Sequence, residues 1–444
     1  MLSREDNELV TRTGPGTPMG NVLRRYWIPV ATSAELEPDG EPLEIKVLGE
    51  DLVAFRDTDG AVGVLDRYCP HRRASLWLGR NEEHGLRCVF HGWKFAVDGR
   101  CTEMPSEPAE LDFKEKVRMT AYPTIEAGGV IWAYMGPADK RPAAPVFEWA
   151  TVPDTHRHVD RMVEECNWLQ ALEGGVDSAH SSFLHRSLLK DPDMRSGFSI
   201  NGYRARGGNP TLEVELTDWG YTYASIRDLG DEGNYVRTYQ YVMPFTQIRA
   251  QQFTSRGERT GGAPPIPLIG GHMWVPMDDE NCMVWNLLYH FGSEPLTNGE
   301  EIESNSGRGP GDYTLPDRRK IRNKDNRWMI DRGMQRAVNY TGIVGANTQD
   351  HAVHESMGRI VDRSKEQLGS IDRAVIATRR LLIDATRTVE GGGDPPGVEP
   401  SYGRARAIEK VLPKSARWQE AMSEDVWGPP QADGRATLAT AGSR

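Results

Sequence analysis

Between residues 27 and 136, short runs rich in Val, Ile, Tyr and Trp (KVLGEDLVAFRD, VGVLDRY, RCVFHGWKFAV, GGVIWAYMG) recur between turn pairs such as Asp59-Gly60 and Asp98-Gly99. Apolar runs of strand length punctuated by Asp-Gly predict hairpins, so residues 26–140 read as a small all-β domain. Residues 3–26 alternate charged and apolar positions until GPGTPMG breaks the pattern, which predicts a short helix and a turn over 1–25. The segment PADKRPAAPVF (137–147) is Pro-rich and aperiodic, and the domain boundary is placed there.

Beyond it the pattern is mixed. A helical stretch is predicted over about 165–187, followed by strand-like runs TLEVEL, YTYASIRD, NYVRTYQYVMPF and CMVWNLLYHF. Near the end, Leu368, Ile371, Val375, Leu382 and Ala385 fall at helical spacing. Residues 141–444 therefore read as an α+β domain. Within it the polar segment 296–326 is expected to be a mobile surface loop, and 428–444 a frayed tail.

Composition narrows the class. With 444 residues, 38% of them hydrophobic and 12 of them Trp, there is material for two packed cores. A net charge of −11 argues against a nucleic-acid or anionic-membrane partner held by bulk electrostatics. No run of 18 apolar residues occurs and the start, MLSREDNELV, is charged, so a cytoplasmic protein is expected. Five Cys make a disulfide scaffold unsuited to this length and leave thiols for metal.

Cys69-Pro70-His71 and Cys88-Val89-Phe90-His91 are two short pairs separated by residues 72–87. A Cys2His2 zinc site is the bland alternative, but zinc fingers place both Cys in one pair and both His in the other. Here each pair supplies one of each. That suits an asymmetric 2Fe-2S cluster, with two thiolates on one iron and two imidazoles on the other, the Rieske arrangement. Cys101, Cys166, Cys282 and His84 lack partners at ligand spacing and read as structural or surface residues.

The second constellation is Asn167-WLQALEGGV-Asp177-SA-His180-SSFL-His185. Five steps on a regular helix leave the second His about 140° from the first, so a bulge or break near Phe183 is expected. Two His beside a one-electron carrier call for a carboxylate to complete a facial triad for non-haem Fe(II). Asp350, in NTQDHAVHESMG ahead of a helical segment, is the leading candidate, with Glu355, His351 and His354 as alternatives. Asp177, three residues before His180, is placed to orient that imidazole. For an anionic aromatic substrate, Arg237 in NYVRTYQYV is the first choice of cation, and Arg204, Arg206, Arg227 and Arg249 are the others.

These motifs resemble the oxygenase (α) component of Rieske non-haem iron aromatic-ring-hydroxylating oxygenases. TRTGPGTPMGNVLRRYWIPV, RYCPHRRASLWLGRNEEHGLRCVFHGWKF, NWLQALEGGVDSAHSSFLH and QDHAVHESMGRIVDRSKEQLGSIDRAVIATRR are similar to the phthalate 4,5-dioxygenase branch, which includes O-demethylases of lignin-derived aromatic acids. The resemblance implies a Rieske domain followed by a helix-grip catalytic domain, a curved antiparallel sheet with helices. It implies Cys69, His71, Cys88 and His91 as cluster ligands, and His180, His185 and Asp350 as ligands of mononuclear Fe(II). Asp350 with Glu355 matches the family's D-x4-E pattern. Asp177 matches the carboxylate that bridges a cluster His of one subunit to an iron-ligand His of its neighbour. Also implied are a homotrimer or stacked trimers, a flavin and 2Fe-2S reductase (with or without a ferredoxin) fed by NAD(P)H, and O2 as co-substrate. The reaction expected is cis-dihydroxylation of an aromatic carboxylate, with O-demethylation of a methoxylated aromatic acid as the second reading. A zinc-stabilised binding protein is the reading from another class.

Overall fold

The computed structural model describes residues 1–189, 209–251 and 268–428. Among these, Thr13–Ala144 forms one compact unit, and Met1–Arg12 with the residues from Pro145 onward forms the other. The helix Arg4–Thr11, expected within a separate helix-and-turn segment over 1–25, thus belongs to the second unit. Asn7 on it is buried, donating to Val361 O and accepting from Arg363 Nη1 at 3.0 Å.

The first unit holds three antiparallel sheets. One pairs Trp27–Thr32 and Thr124–Ala127 on either side of Val130–Tyr134. A second is the meander Leu43–Val47, Glu50–Arg56 and Val62–Asp66. The third consists of the short strands Arg80–Glu82, Gly85–Arg87, Lys94–Phe95 and Cys101–Glu103. Val53, Phe55, Leu65, Leu76, Leu86, Trp93 and Phe95 form a core that also takes in Cys69 and Cys88. Burying these side chains at roughly 1.5–3 kcal/mol each anchors the bases of both loops that carry the Cys-His pairs.

The second unit is built on one antiparallel sheet. Its strand order is Arg157–Glu164, Cys282–Tyr289, Leu268–Pro276, Thr246–Gln251, Asn234–Val242, Gly220–Asp228 and Thr211–Leu216, and Glu409–Leu412 also pairs with Asn234–Val242. The helices Trp168–Val176 and Arg373–Glu390 pack on it, giving the expected sheet-plus-helix architecture. Leu268–Pro276 (LIGGHMWVP) escaped the sequence reading because all nine residues are buried, so no apolar–polar alternation marks it. The last long helix begins at Arg373, leaving Leu368 and Ile371 ahead of it.

The segment 296–326 is not the mobile loop its polarity predicts. Gly299–Asn305 is a helix, and Glu303, Arg308 and Lys320 are buried. Their charge is offset inside the fold: Arg308 pairs with Glu303, and Lys320 Nζ donates to Gly307 O and Thr348 Oγ1 at 2.8 and 3.0 Å. Of the tail, everything past Gly428 lies outside the described residues, as do Arg204 and Arg206. Among the described residues no helix is long and apolar enough to cross a membrane.

A second buried ion cluster ties the helices together. Glu173 accepts from Arg363 Nε at 3.0 Å and from Arg379 Nε at 2.6 Å, and the two arginines hold its carboxyl below the usual range against the opposing effect of burial. Glu173→Ala strands two buried guanidinium groups, and we expect about 3 kcal/mol or more of lost stability. Denaturant unfolding would check this; a loss under ~1 kcal/mol would show the cluster to be dispensable.

Candidate metal centres

In the first unit, both Cys-His pairs sit on tight loops closed by backbone bonds. Cys69 N–H donates to Ala74 O and Arg73 N–H to Cys69 O, at 2.9 and 2.8 Å; Cys88 N–H donates to Trp93 O and Gly92 N–H to Cys88 O, again at 2.8 and 2.9 Å. Gly92 has φ +77°, and a Cβ there would lie 2.6 Å from Pro105 Cγ, so this turn requires glycine. The thiols are buried and the imidazoles half-buried, with His71 and His91 ring centroids 4.4 Å apart. His71 also stacks on Trp93 at 4.5 Å.

The two thiols share a proton: a hydrogen bond to Cys69 and the backbone N–H groups of Phe90 and His91 bring Cys88 down to about 6, despite burial, while Cys69 is pushed up by the same bond and by burial. A thiol shifted toward the thiolate, as Cys88 is, is what iron or zinc requires of a ligand. Geometry separates the two. Four ligands on one zinc lie within about 4 Å of each other. Among the described residues, no three of Cys69, His71, Cys88 and His91 bring ligand atoms within 4.8 Å of one another. The spread fits a binuclear cluster, and the buried, unpartnered His71 Nδ1 fits a ligand of its outer iron.

In the second unit the helix Trp168–Val176 stops at Asp177, six residues before the expected break. A single 3-10 turn, His180–Ser182, then aims His180 and His185 at one another, with ring centroids 5.2 Å apart. Asp350 lies within the helix Ala346–Ser356 rather than ahead of it, in its second turn. The three side chains bring ligand atoms within 4.8 Å of one another.

Protons on this site can be assigned from its partners. Gln349 Nε2 donates to Ile343 O at 2.9 Å, so its Oε1 faces His185 Nδ1, 2.8 Å away, and must accept from it. His185 therefore presents an Nε2 lone pair to Asp350 Oδ1 at 3.2 Å. His180 turns Nδ1 toward Asp177 Oδ2 and Nε2 toward Asp350 Oδ1, both at 3.6 Å. Asp350 Oδ1 is buried and accepts no hydrogen bond. Lone pairs converging in a half-buried site repel unless a cation lies among them, and two His with one carboxylate is the donor set of non-haem Fe(II).

The alternatives to Asp350 have other work. Glu355 accepts from Glu165 N–H at 3.1 Å and Trp328 Nε1–H at 2.6 Å. His354 Nδ1 lies 2.7 Å from Glu164 Oε1, and His351 is 3.5 Å from the same carboxylate. Asp177 caps the turn by accepting from Ala179 N–H at 2.6 Å. Sequence spacing had no way to mark Gln349 or Glu164, which act across more than 150 residues of chain.

A cavity beside the triad is lined by Arg237, Tyr239, Arg249, His272 and Trp274. Arg237 is committed: it donates to Ala250 O from Nε at 3.0 Å and to Tyr239 Oη from Nη1 at 2.7 Å, and lies 3.7 Å from Glu409. Arg227 is buried and donates to Ser178 O at 2.9 Å, which holds the His180 turn. Arg249 makes no hydrogen bond or ion pair among the described residues. Burial, then the charges of Arg308 and Arg237, pull its pKa down to about 9. Its register neighbour is Gly270, which presents no side chain.

Comparison with known proteins agrees with both centres. Residues 26–123 match the Rieske [2Fe-2S] domain, and residues 133–438 match the LigXa C-terminal domain-like family. The chain is 37% identical to the 3-chlorobenzoate-3,4-dioxygenase oxygenase subunit of Comamonas testosteroni, covering 96% of this chain and 99% of that one. It is 37% identical to the phthalate 4,5-dioxygenase oxygenase subunit of Pseudomonas putida, covering 96% of each. It is also 31% identical to the 5,5'-dehydrodivanillate O-demethylase oxygenase subunit of a Sphingobium strain, covering 96% and 89%.

Gly174 supplies a test of the packing behind the triad, because a Cβ there would fall 1.8 Å from His354 Nε2. Gly174→Ala should displace His354 and weaken Fe(II) retention about tenfold or more, with the visible absorption of the cluster unchanged. Metal analysis of the dialysed variant reads this; full iron retention would separate His354 from the centre.

Proposed function

The chain belongs to the Rieske non-haem iron oxygenases, in the branch of the phthalate 4,5-dioxygenase oxygenase subunits, and from that premise we propose that it oxygenates an aromatic carboxylate. It is an oxidoreductase, the oxygenase component of a multicomponent system, with a Rieske cluster and mononuclear iron as cofactors and NAD(P)H used through a reductase. The reaction we favour is cis-dihydroxylation of an arenecarboxylate. O-demethylation of a methoxylated aromatic acid is the second reading, supported by the O-demethylase relative.

When bound, the cluster supplies single electrons and the Fe(II) activates dioxygen next to the substrate. In the proposal, Cys69 and Cys88 hold one cluster iron, and His71 and His91 the other. His180, His185 and Asp350 hold the Fe(II), with Gln349 keeping the His185 proton on Nδ1. Asp177 takes the Nδ1 proton of His180 as a hydrogen bond and bridges to a cluster His of a neighbouring subunit, which requires a homotrimer or stacked trimers. A flavin and 2Fe-2S reductase and a cytoplasmic location complete the reading.

The observation that carries the substrate class is Arg249. A cation that meets no anion or acceptor among the described residues, beside a two-His carboxylate site, is stabilised by an anion. Arg237, the first choice from sequence, spends its donors on Ala250 and Tyr239 and acts as part of the wall. We therefore assign the substrate carboxylate to Arg249. Arg249→Met should weaken binding of aromatic carboxylates by about 2–5 kcal/mol and leave their carboxamides nearly unaffected. Calorimetry on anaerobic holoenzyme reads this, and equal losses on both would return Arg249 to a structural role. A turnover screen of aromatic and methoxylated acids with a surrogate reductase, with products identified by mass, decides between the two reactions.

The two centres draw on separate ligand sets. Asp350→Ala should lose mononuclear iron while keeping the cluster spectrum; Cys88→Ser should lose the cluster absorption, because a serine oxygen replaces a thiolate poorly on ferric iron. Electron paramagnetic resonance with metal analysis distinguishes them. A zinc-containing, colourless wild type would sink the assignment.

A further inference from the structure

His272 lines the same cavity as Arg249, yet nothing in the proposed chemistry uses it. It lies on Leu268–Pro276, opposite Gln247 in register, and Arg249 is opposite Gly270. His272 and Arg249 are therefore diagonal neighbours on one face of adjacent strands. Arg308 Nη1 is 3.2 Å from His272 Nε2. A guanidinium only donates, so Nε2 accepts. Burial, together with the charges of Arg249 and Arg308, keeps the imidazole neutral. A neutral ring that accepts at Nε2 carries its proton on Nδ1, and Nδ1 is buried without a hydrogen-bond partner.

An unspent N–H in a buried site destabilises the fold unless something occupies it. On its other side the ring is fixed by a pair that does not line the cavity: Arg308, 1% exposed, is bound to Glu303, 0% exposed, with Nη2 2.9 Å from Oε1. The carboxylate of Glu303 offsets the Arg308 charge, so Arg308 serves to set the tautomer and adds no free cation to the pocket.

Building on the assignment of an aromatic carboxylate as substrate, we propose that His272 Nδ1–H is the second donor to that carboxylate. Arg249 takes one oxygen and His272 the other. Glu303 and Arg308 act as positioning residues that hold the His272 proton on the substrate side. The polar segment 296–326 thereby shapes specificity through its contact with His272.

The test measures dissociation constants on anaerobic holoenzyme for phthalate, 3-chlorobenzoate and 3-methoxybenzoate, each against its carboxamide. His272→Phe should weaken the tightest carboxylate about 10–100-fold, as loss of a hydrogen bond to a charged group does, and change the carboxamide far less. His272→Asn sets its amide nitrogen close to the position of Nδ1 and should restore most of the loss. The double variant Glu303→Gln/Arg308→Met removes the positioning pair without stranding a buried charge, and should lower the carboxylate-over-carboxamide ratio with His272 intact. Unchanged carboxylate binding in His272→Phe, or equal loss on acid and amide, overturns the proposal and leaves the substrate class standing. Wild type that binds none of the three acids overturns both.

Discussion

Three lone pairs aimed at one point dominate the catalytic unit. His180 Nε2, His185 Nε2 and Asp350 Oδ1 face one another in a half-buried site, where like lone pairs repel. Such an arrangement persists only when its surroundings fix each group separately. Gln349 holds His185 from one side, Asp177 faces His180 from the other, and the helix Ala346–Ser356 carries Asp350. That helix is tied to Trp168–Val176 by Gln170, which donates to His354 O and Gly358 O at 3.0 and 2.7 Å. Gly174 lets the two helices approach closely enough for His354 to fit between them.

The same economy of charge governs the cavity. Buried cations near it are each met by an anion or by carbonyl and hydroxyl acceptors: Arg308 by Glu303, Lys320 by Gly307 and Thr348, Arg237 by Ala250, Tyr239 and Glu409. A buried charge without compensation destabilises the fold, so it is retained where a ligand supplies the counter-charge. Arg249, partly buried, stands out against that background, because no anion or acceptor meets it among the described residues and the charges of Arg308 and Arg237 act against it.

The metal chemistry of this chain was legible in its sequence because ligand sets are carried by short motifs. The mixed Cys-His pairs and the His180/His185 spacing lie within a few residues of each other, and the chemistry of thiolate, imidazole and carboxylate depends on residue type. The all-β first unit was legible as well, since Asp-Gly turns and strand-length apolar runs are local signals. The helix–sheet character of the second unit followed from the strands whose runs stand out, Thr211–Leu216, Gly220–Asp228, Asn234–Val242 and Cys282–Tyr289.

Tertiary structure alone decided what depends on residues far apart in the chain. Whether Arg237 or Arg249 is free to meet a substrate turns on Ala250 O and Glu409, contacts that no spacing encodes. The segment 296–326 reads as solvated because most of its residues are polar, but Glu303 and Arg308 neutralise each other inside the fold, and a polar composition then ceases to mean exposure. The proton on His185 is set by Gln349, 164 residues away. Sequence specifies which atoms can bind metal or substrate. Folding decides which of them remain unpaired once every other buried polar group has found its partner, and those remaining atoms are the ones left for chemistry.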